Sequence, residues 1–199
     1  MSYRKTIDNF NPSVEKLNKS NILLSPKFNA GDKCYQFNSF LSGEALSWLE
    51  NGNGVTYLVF DNIDKHKKLI AYYTLAVTSI PFIDRIKDGE SDYDEQLWGI
   101  PSVEIKMFAV SKEYQDLFFE DKPIAAWILQ SIISDIDNIS SNIVGIKAIF
   151  LHSTEDGESF YEMNEFHDLE INMSPLHSAD DGLREMYLAI RPFHMNYEV

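Results

Sequence analysis

Residues 103–151 constrain the fold more than any other stretch of this chain. "VEIKMFAV" at 103–110 has the short, apolar-rich pattern of a strand. From 123 to 139, Ile124, Trp127, Ile128, Ile132, Ile136 and Ile139 recur at helical spacing and make one apolar face. Pro123 suits the first helical position, where no amide donor is needed. "IKAIFL" at 146–151 reads as a strand again. A strand, a helix and a strand in this order make a crossover whose strands, if paired, are parallel and right-handed. The junction between strand and helix is where many proteins place a glycine-rich phosphate cradle. Here it reads "SKEYQDLFFEDKP", with Asp116, Glu120 and Asp121 and no glycine.

The flanking segments extend the pattern. Residues 1–30 are polar, contain Pro12 and Pro26, and read as an irregular N-terminal arm. Residues 38–51 form an amphipathic helix through Phe40, Leu41, Ala45, Trp48 and Leu49, stopped by "NGNG" at 51–54. "TYLVF" at 56–60 and "LIAYYTLAV" at 69–77 are β-branched and aromatic, hence an antiparallel strand pair across a polar turn at 61–68. Residues 84–99 read as a charged insertion. A short helix is expected at 155–164, then two closing strands, "HDLEIN" and "EMYLAIR", joined by a polar loop at 174–182. Taken together the elements define an α/β fold with a mixed sheet.

Composition narrows the function. With 199 residues the chain suits a single domain, and 44% hydrophobic residues supply a real core. A formal charge of −14, from 31 acidic and 17 basic residues, repels phosphate backbones and argues against nucleic acid as a partner. The single cysteine, Cys34, permits no intrachain disulfide and suits a reducing cytoplasm; it also lacks a partner motif for a nucleophilic role. No run approaches the roughly 20 apolar residues of a membrane helix. Asp92, Asp94 and Glu95 lack the spacing and glycine of a calcium loop, so they read as a solvated acidic loop and no metal is expected.

Three stretches, in order, resemble the GNAT superfamily of acetyl-coenzyme A dependent N-acetyltransferases. "VEIKMFAVSKEYQ" is similar to the family's fourth strand and the start of its cofactor loop, "GIKAIFLHS" to its fifth strand, and "ESFYEMNEF" to its "FYxxxGF" signature. The likeness spans about residues 35–190. "FLSGEALSWL" followed by "IAYYTLA" further resembles the toxin-like GNAT subgroup that acetylates aminoacyl-tRNA. The resemblance implies a GNAT-like, mostly antiparallel mixed sheet, a V-shaped splay between the family's strands four and five, and helices on both faces. It implies a single GNAT-like domain over residues 31–199, behind the arm at 1–30.

It also implies a site. The pantetheine arm of acetyl-coenzyme A would pair with the backbone of Met107, Phe108, Ala109 and Val110. Gln115 keeps the place of the loop's first polar residue, and Ala125 stands where the last loop glycine is usual. The amides of Ile124, Ala125 and Ala126 would face the pyrophosphate, with Lys122 offsetting the nearby carboxylates. The alternative is a decayed cofactor site on a surviving scaffold. Tyr161 is the candidate acid for the departing thiolate, or else an aromatic packed under the sheet. Glu104 is the candidate base and His152 a second one. Glu165 replaces the signature glycine before Phe166, which predicts a changed turn.

The expected function is acetyl transfer from acetyl-coenzyme A directly to an amine of a small molecule or a protein, in the cytoplasm. Alternatives are a toxin-like enzyme acting on aminoacyl-tRNA and a non-catalytic interaction module. The resemblance also allows a homodimer.

Overall fold

A computed structural model describes residues 4–63, 66–88, 92–174 and 182–192. Along them run β1 (Lys5–Thr6), β2 (Pro12–Lys16), α1 (Tyr35–Ser39), α2 (Ala45–Glu50), β3 (Val55–Ile63), β4 (His66–Asp88) and β5 (Asp92–Val110). Next come β6 (Leu117–Phe119), β7 (Lys122–Pro123), α3 (Ile124–Asn142), β8 (Ala148–Ser153), α4 (Glu158–Glu162), β9 (His167–Asp168) and β10 (Arg184–Ala189). The chain divides into two compact units, residues 1–76 with 105–131 and residues 77–104 with 132–199, so β4, β5 and α3 each contribute to both. Among the described residues no helix is long and apolar enough to cross a membrane.

In the first unit the strand order is β2–β3–β4–β5. β2 runs antiparallel to β3 from Pro12↔Asp61 to Lys16↔Tyr57, and β3 antiparallel to β4 with an irregularity between Val59 and Phe60. The core gathers Leu17, Phe40, Leu41, Leu58, Phe60 and Tyr72. Phe28 meets Tyr72 edge-on at 5.3 Å, and Phe40 meets Trp48 in the same way at 5.1 Å. The Tyr72 hydroxyl donates to the Phe37 carbonyl at 2.7 Å, so this buried phenol keeps a partner.

In the second unit the order is β4–β5–β8–β10–β9. β10 is antiparallel to β8, from Arg184↔Ser153 to Ala189↔Ala148. Ile80, Ile100, Phe150, Met173 and Tyr187 form its core, and Ile132 and Ile136 of α3 are buried as the helical spacing predicts.

Several sequence expectations need correction. Residues 12–16 are a strand and not irregular; as an edge strand with four of its five residues exposed, β2 carries no apolar alternation to betray it. The segment 84–99 is no insertion, because β4 runs to Asp88 and β5 starts at Asp92. Glu95–Gly99 are exposed, so that strand shows no apolar period. The acidic-loop reading of Asp92, Asp94 and Glu95 therefore gives way to strand. The helix expected at 38–51 starts at Tyr35 and is interrupted by a π-type turn at Phe40–Glu44, beside Gly43. Strand pairing also replaces most of the polar turn at 61–68, of which residues 64 and 65 lie outside the described residues. β8 begins at Ala148 and extends to Ser153, which puts His152 inside a strand. Only His167 and Asp168 of "HDLEIN" are strand, and most of the loop at 174–182 lies outside the described residues.

The glycine-free junction is a small hairpin. β6 and β7 pair antiparallel through Phe119↔Lys122, leaving Glu120 and Asp121 as a two-residue turn, and β1 pairs parallel with β6. Both turn residues have positive φ, 47° and 64°. A two-residue turn of this hand favours Asn-Gly, because a Cβ resists the left-handed region. Replacing Glu120→Asn together with Asp121→Gly is expected to stabilise the protein by about 0.5–1 kcal/mol and raise Tm by about 1–4 °C. Thermal unfolding followed by circular dichroism checks this; a lowered Tm would show that the two side chains make contacts that outweigh the backbone strain.

Candidate active site

The two candidate bases are one unit of structure. Antiparallel pairing sets His152 of β8 directly opposite Glu185 of β10, so the two side chains share a face. His152 Nε2 lies 3.1 Å from Glu185 Oε1, and its Nδ1 lies 3.1 Å from Glu104 Oε1 on β5. Glu104 is only 2% exposed. The His152 and Glu185 side chains retain 16% and 10%. An imidazolium donates at both nitrogens and satisfies both carboxylates, whereas neutral imidazole donates at one. The hydrogen bond to Glu104 therefore raises the His152 pKa, against burial, which lowers it; Glu185 adds to the rise. Phe150 closes one side, its ring edge-on to the imidazole at 4.9 Å.

Glu185 is the residue that sequence reasoning missed. Nothing local marks it, since its partner lies 33 positions away and meets it only through strand register. Glu104 and His152 were legible one at a time, but not as a pair.

Tyr161 sits on α4, its ring edge-on to Phe160 at 5.2 Å and to Phe166 at 5.6 Å. Its hydroxyl makes no hydrogen bond among the described residues, and burial raises its pKa, so the phenol holds its proton at neutral pH. Arg184 ties this short helix to β10, donating to Glu158 at 2.8 Å and to Glu162 at 2.9 Å. A Cβ on Gly157 beneath it would lie 2.9 Å from Ser153 Oγ, so that side chain would have to shift.

The helix ends in a Schellman motif. The Phe166 amide donates to the Tyr161 carbonyl and the Glu165 amide to that of Glu162, both at 3.1 Å. The Tyr161–Phe166 ring contact is the apolar pairing that accompanies such an end. Its left-handed residue is Glu165, φ 69°. Glu165 thus adopts a conformation for which glycine is suited, at a steric cost. Glu165→Gly should stabilise the protein by up to about 1 kcal/mol without moving Tyr161. Urea unfolding and the near-ultraviolet circular dichroism of the aromatic cluster check both parts; a loss of stability would assign the Glu165 side chain a role of its own.

The candidate cofactor residues lie in the first unit. Ala109 and Val110 are buried at the end of β5, Met107 packs on the core, and Phe108 is half-buried. Gln115 donates from Nε2 to the carbonyls of Ala30 and Val110, each at 2.9 Å, bracing the loop. The Lys122 ammonium lies 2.7 Å from Gln130 Oε1 and 5.0 Å from the centre of the Trp127 ring. Trp127 in turn donates to the Phe119 carbonyl at 3.1 Å, so the hairpin is fastened to the first turns of α3. α3 starts at Ile124, which makes the amides of Ile124, Ala125 and Ala126 those of its first turn, lacking intrahelical acceptors. No acidic residue stands in that turn; Glu120 and Asp121 are at the hairpin tip. Asp61, which the sequence did not single out, is buried and accepts from the Tyr114 hydroxyl at 3.1 Å and the Asn11 amide at 3.2 Å. Burial, with Asp61 beside it, pushes the Tyr114 phenol up to about 12.

No protein-family model and no curated protein matches the chain. Solved structures do resemble it. A bacterial toxin shares 18% identity at a TM-score of 0.63, over 90% of this chain and 92% of that one. The AtaTR complex bound with acetyl-CoA shares 17% at 0.61, over 90% and 93%. AtaT complexed with acetyl-methionyl-tRNAfMet shares 15% at 0.61, over 90% and 95%. At these identities the likeness shows the fold alone: this chain has a mixed, mostly antiparallel α/β fold like theirs, the GNAT-like architecture that its motifs predict.

The raised pKa of His152 has a consequence for stability. The folded value lies above the unfolded value of about 6.5, so the protonated bridge stabilises the fold below that pH. Its contribution fades as pH rises through the folded pKa. Urea unfolding of the wild type and His152→Gln at about pH 5.5 and about pH 8.5 is expected to show the larger loss at acid pH. An equal loss at both would mean that the bridge is not linked to protonation.

Proposed function

We propose that this protein is an N-acetyltransferase that moves an acetyl group from acetyl-coenzyme A directly to an amine, carried by a small molecule or a protein. One observation carries the reading: the chain has, over 90% of its length, the fold of AtaT, whose structure holds acetyl-CoA. The cofactor residues fit. Free amides at the start of a 19-residue helix, with no carboxylate in its first turn, suit a diphosphate. The β5 residues Met107 to Val110 and the braced loop at Gln115 are the backbone along which the pantetheine arm would lie. When bound, the thioester supplies an activated acyl carbon.

The chain's own groups handle the protons. As the amine nitrogen bonds to the acyl carbon and the carbon–sulfur bond breaks, one proton leaves the nitrogen and one reaches the sulfur. Glu104 accepts the first, its charge balanced by His152, which Glu185 holds in place. The Tyr161 phenol, protonated at neutral pH as any phenol of pKa about 10 or above is, donates the second. A cytoplasmic location accords with this substrate and with a single cysteine.

A second reading takes aminoacyl-tRNA as the acceptor. The likeness to AtaT complexed with acetyl-methionyl-tRNAfMet favours it, and the −14 charge of the chain opposes it. A protein partner is in keeping with AtaT bound to the C-terminus of the antitoxin AtaR. The expected result is calorimetric binding of acetyl-coenzyme A and of desulfo-coenzyme A in the micromolar range. Tyr161→Phe should then lower kcat for amine acetylation by about a hundredfold or more with the acetyl-coenzyme A Kd unchanged. No heat at millimolar ligand, at two temperatures, would sink the enzyme reading and leave a non-catalytic module.

A further inference from the structure

The first unit holds a cleft of about 400 Å³ that none of the acetyl-transfer residues line. Lys27, Lys67, Lys68 and Lys112 surround it, with Asn29 and Ser111 between them. In a chain with 17 basic and 31 acidic residues, four ammonium groups around one cleft are a local reversal of charge.

The lysines are held in place. Lys67 lies over the Phe60 ring at 4.0 Å and pairs with Glu15; Lys68 lies over the Tyr114 ring at 5.4 Å and pairs with Glu113. Lys112 stands 3.7 Å from Asp32, and Lys27 has no ion pair among the described residues. Of these carboxylates only Glu113 lines the cleft. Exposed lysine–carboxylate pairs contribute only about 0–1 kcal/mol each. An incoming phosphate displaces such partners at little cost and gains several charge-assisted hydrogen bonds at once. Leu24 and Leu69 add an apolar patch beside the charged one. The volume falls within the ~300–1,000 Å³ of small-ligand pockets. RNA, by contrast, requires a basic stripe along a surface, and here carboxylates pair with three of the four lysines in a chain of formal charge −14.

We propose that this cleft binds a small phosphorylated molecule, its phosphate held by Lys27, Lys67, Lys68 and Lys112 and its apolar part against Leu24 and Leu69. The test is calorimetric titration of the full chain with inorganic pyrophosphate, AMP and a single-stranded RNA, repeated with acetyl-coenzyme A. Pyrophosphate and AMP should bind the wild type, and Lys67→Gln with Lys68→Gln should weaken both by about tenfold or more. Acetyl-coenzyme A affinity should not change in that variant. Glu113→Gln removes the carboxylate that competes for Lys68 and should tighten AMP. Equal affinities in wild type and lysine variant, absence of binding at about 10 mM, or displacement of pyrophosphate by acetyl-coenzyme A irrespective of the lysines would each overturn the proposal. RNA binding through the same lysines more tightly than AMP would overturn it in favour of a nucleic-acid surface.

Discussion

Backbone pairing along β5 is the constraint on which the candidate site depends. This one strand carries Glu104 and the segment Met107 to Val110, and it lies between β4 and β8 in the sheet order. Side chains alternate across a strand, so a slip of one residue would turn each of them to the opposite face. The same slip would take Glu104 away from His152. The register therefore sets which carboxylate meets the imidazole. The same logic holds one strand further, where β8–β10 pairing puts Glu185 against the other imidazole nitrogen.

The bridge of two carboxylates and one imidazole is held together by electrostatics in a place where solvent cannot replace a lost partner. A buried carboxylate without a donor is costly, and Glu104 at 2% exposure has His152 as its donor. The arrangement holds Glu104 in position through His152. Tyr161 is handled in the opposite way. Its ring is held by a helix end and an aromatic pair, and burial raises the pKa of its hydroxyl.

Much of the fold was legible because its signals are local. The Ile-rich face at 124–139, the aromatic strands at 56–60 and 69–77, and the "FY" segment each announce themselves within a few residues. The edge strand β2 and the exposed parts of β4 and β5 were not legible, since a strand without a buried face has no apolar period. The junction hairpin was hidden for another reason. Glu120 and Asp121 occupy left-handed backbone where glycine or asparagine would have signalled a turn. Glu165 repeats the deception, a side-chain-bearing residue in left-handed backbone.

By itself the sequence determined the class of fold and the order of its main strands and helices, and it offered Glu104, His152 and Tyr161 as candidates for proton transfer. Periodicity and side-chain chemistry are properties of short segments, and they survive without neighbours. Only the tertiary structure decided that Glu104 and His152 are partners, that Glu185 completes them, and that four lysines drawn from residues 27 to 112 meet around one cleft. Those are long-range encounters. Strand register and loop path create them, and no local spacing encodes them.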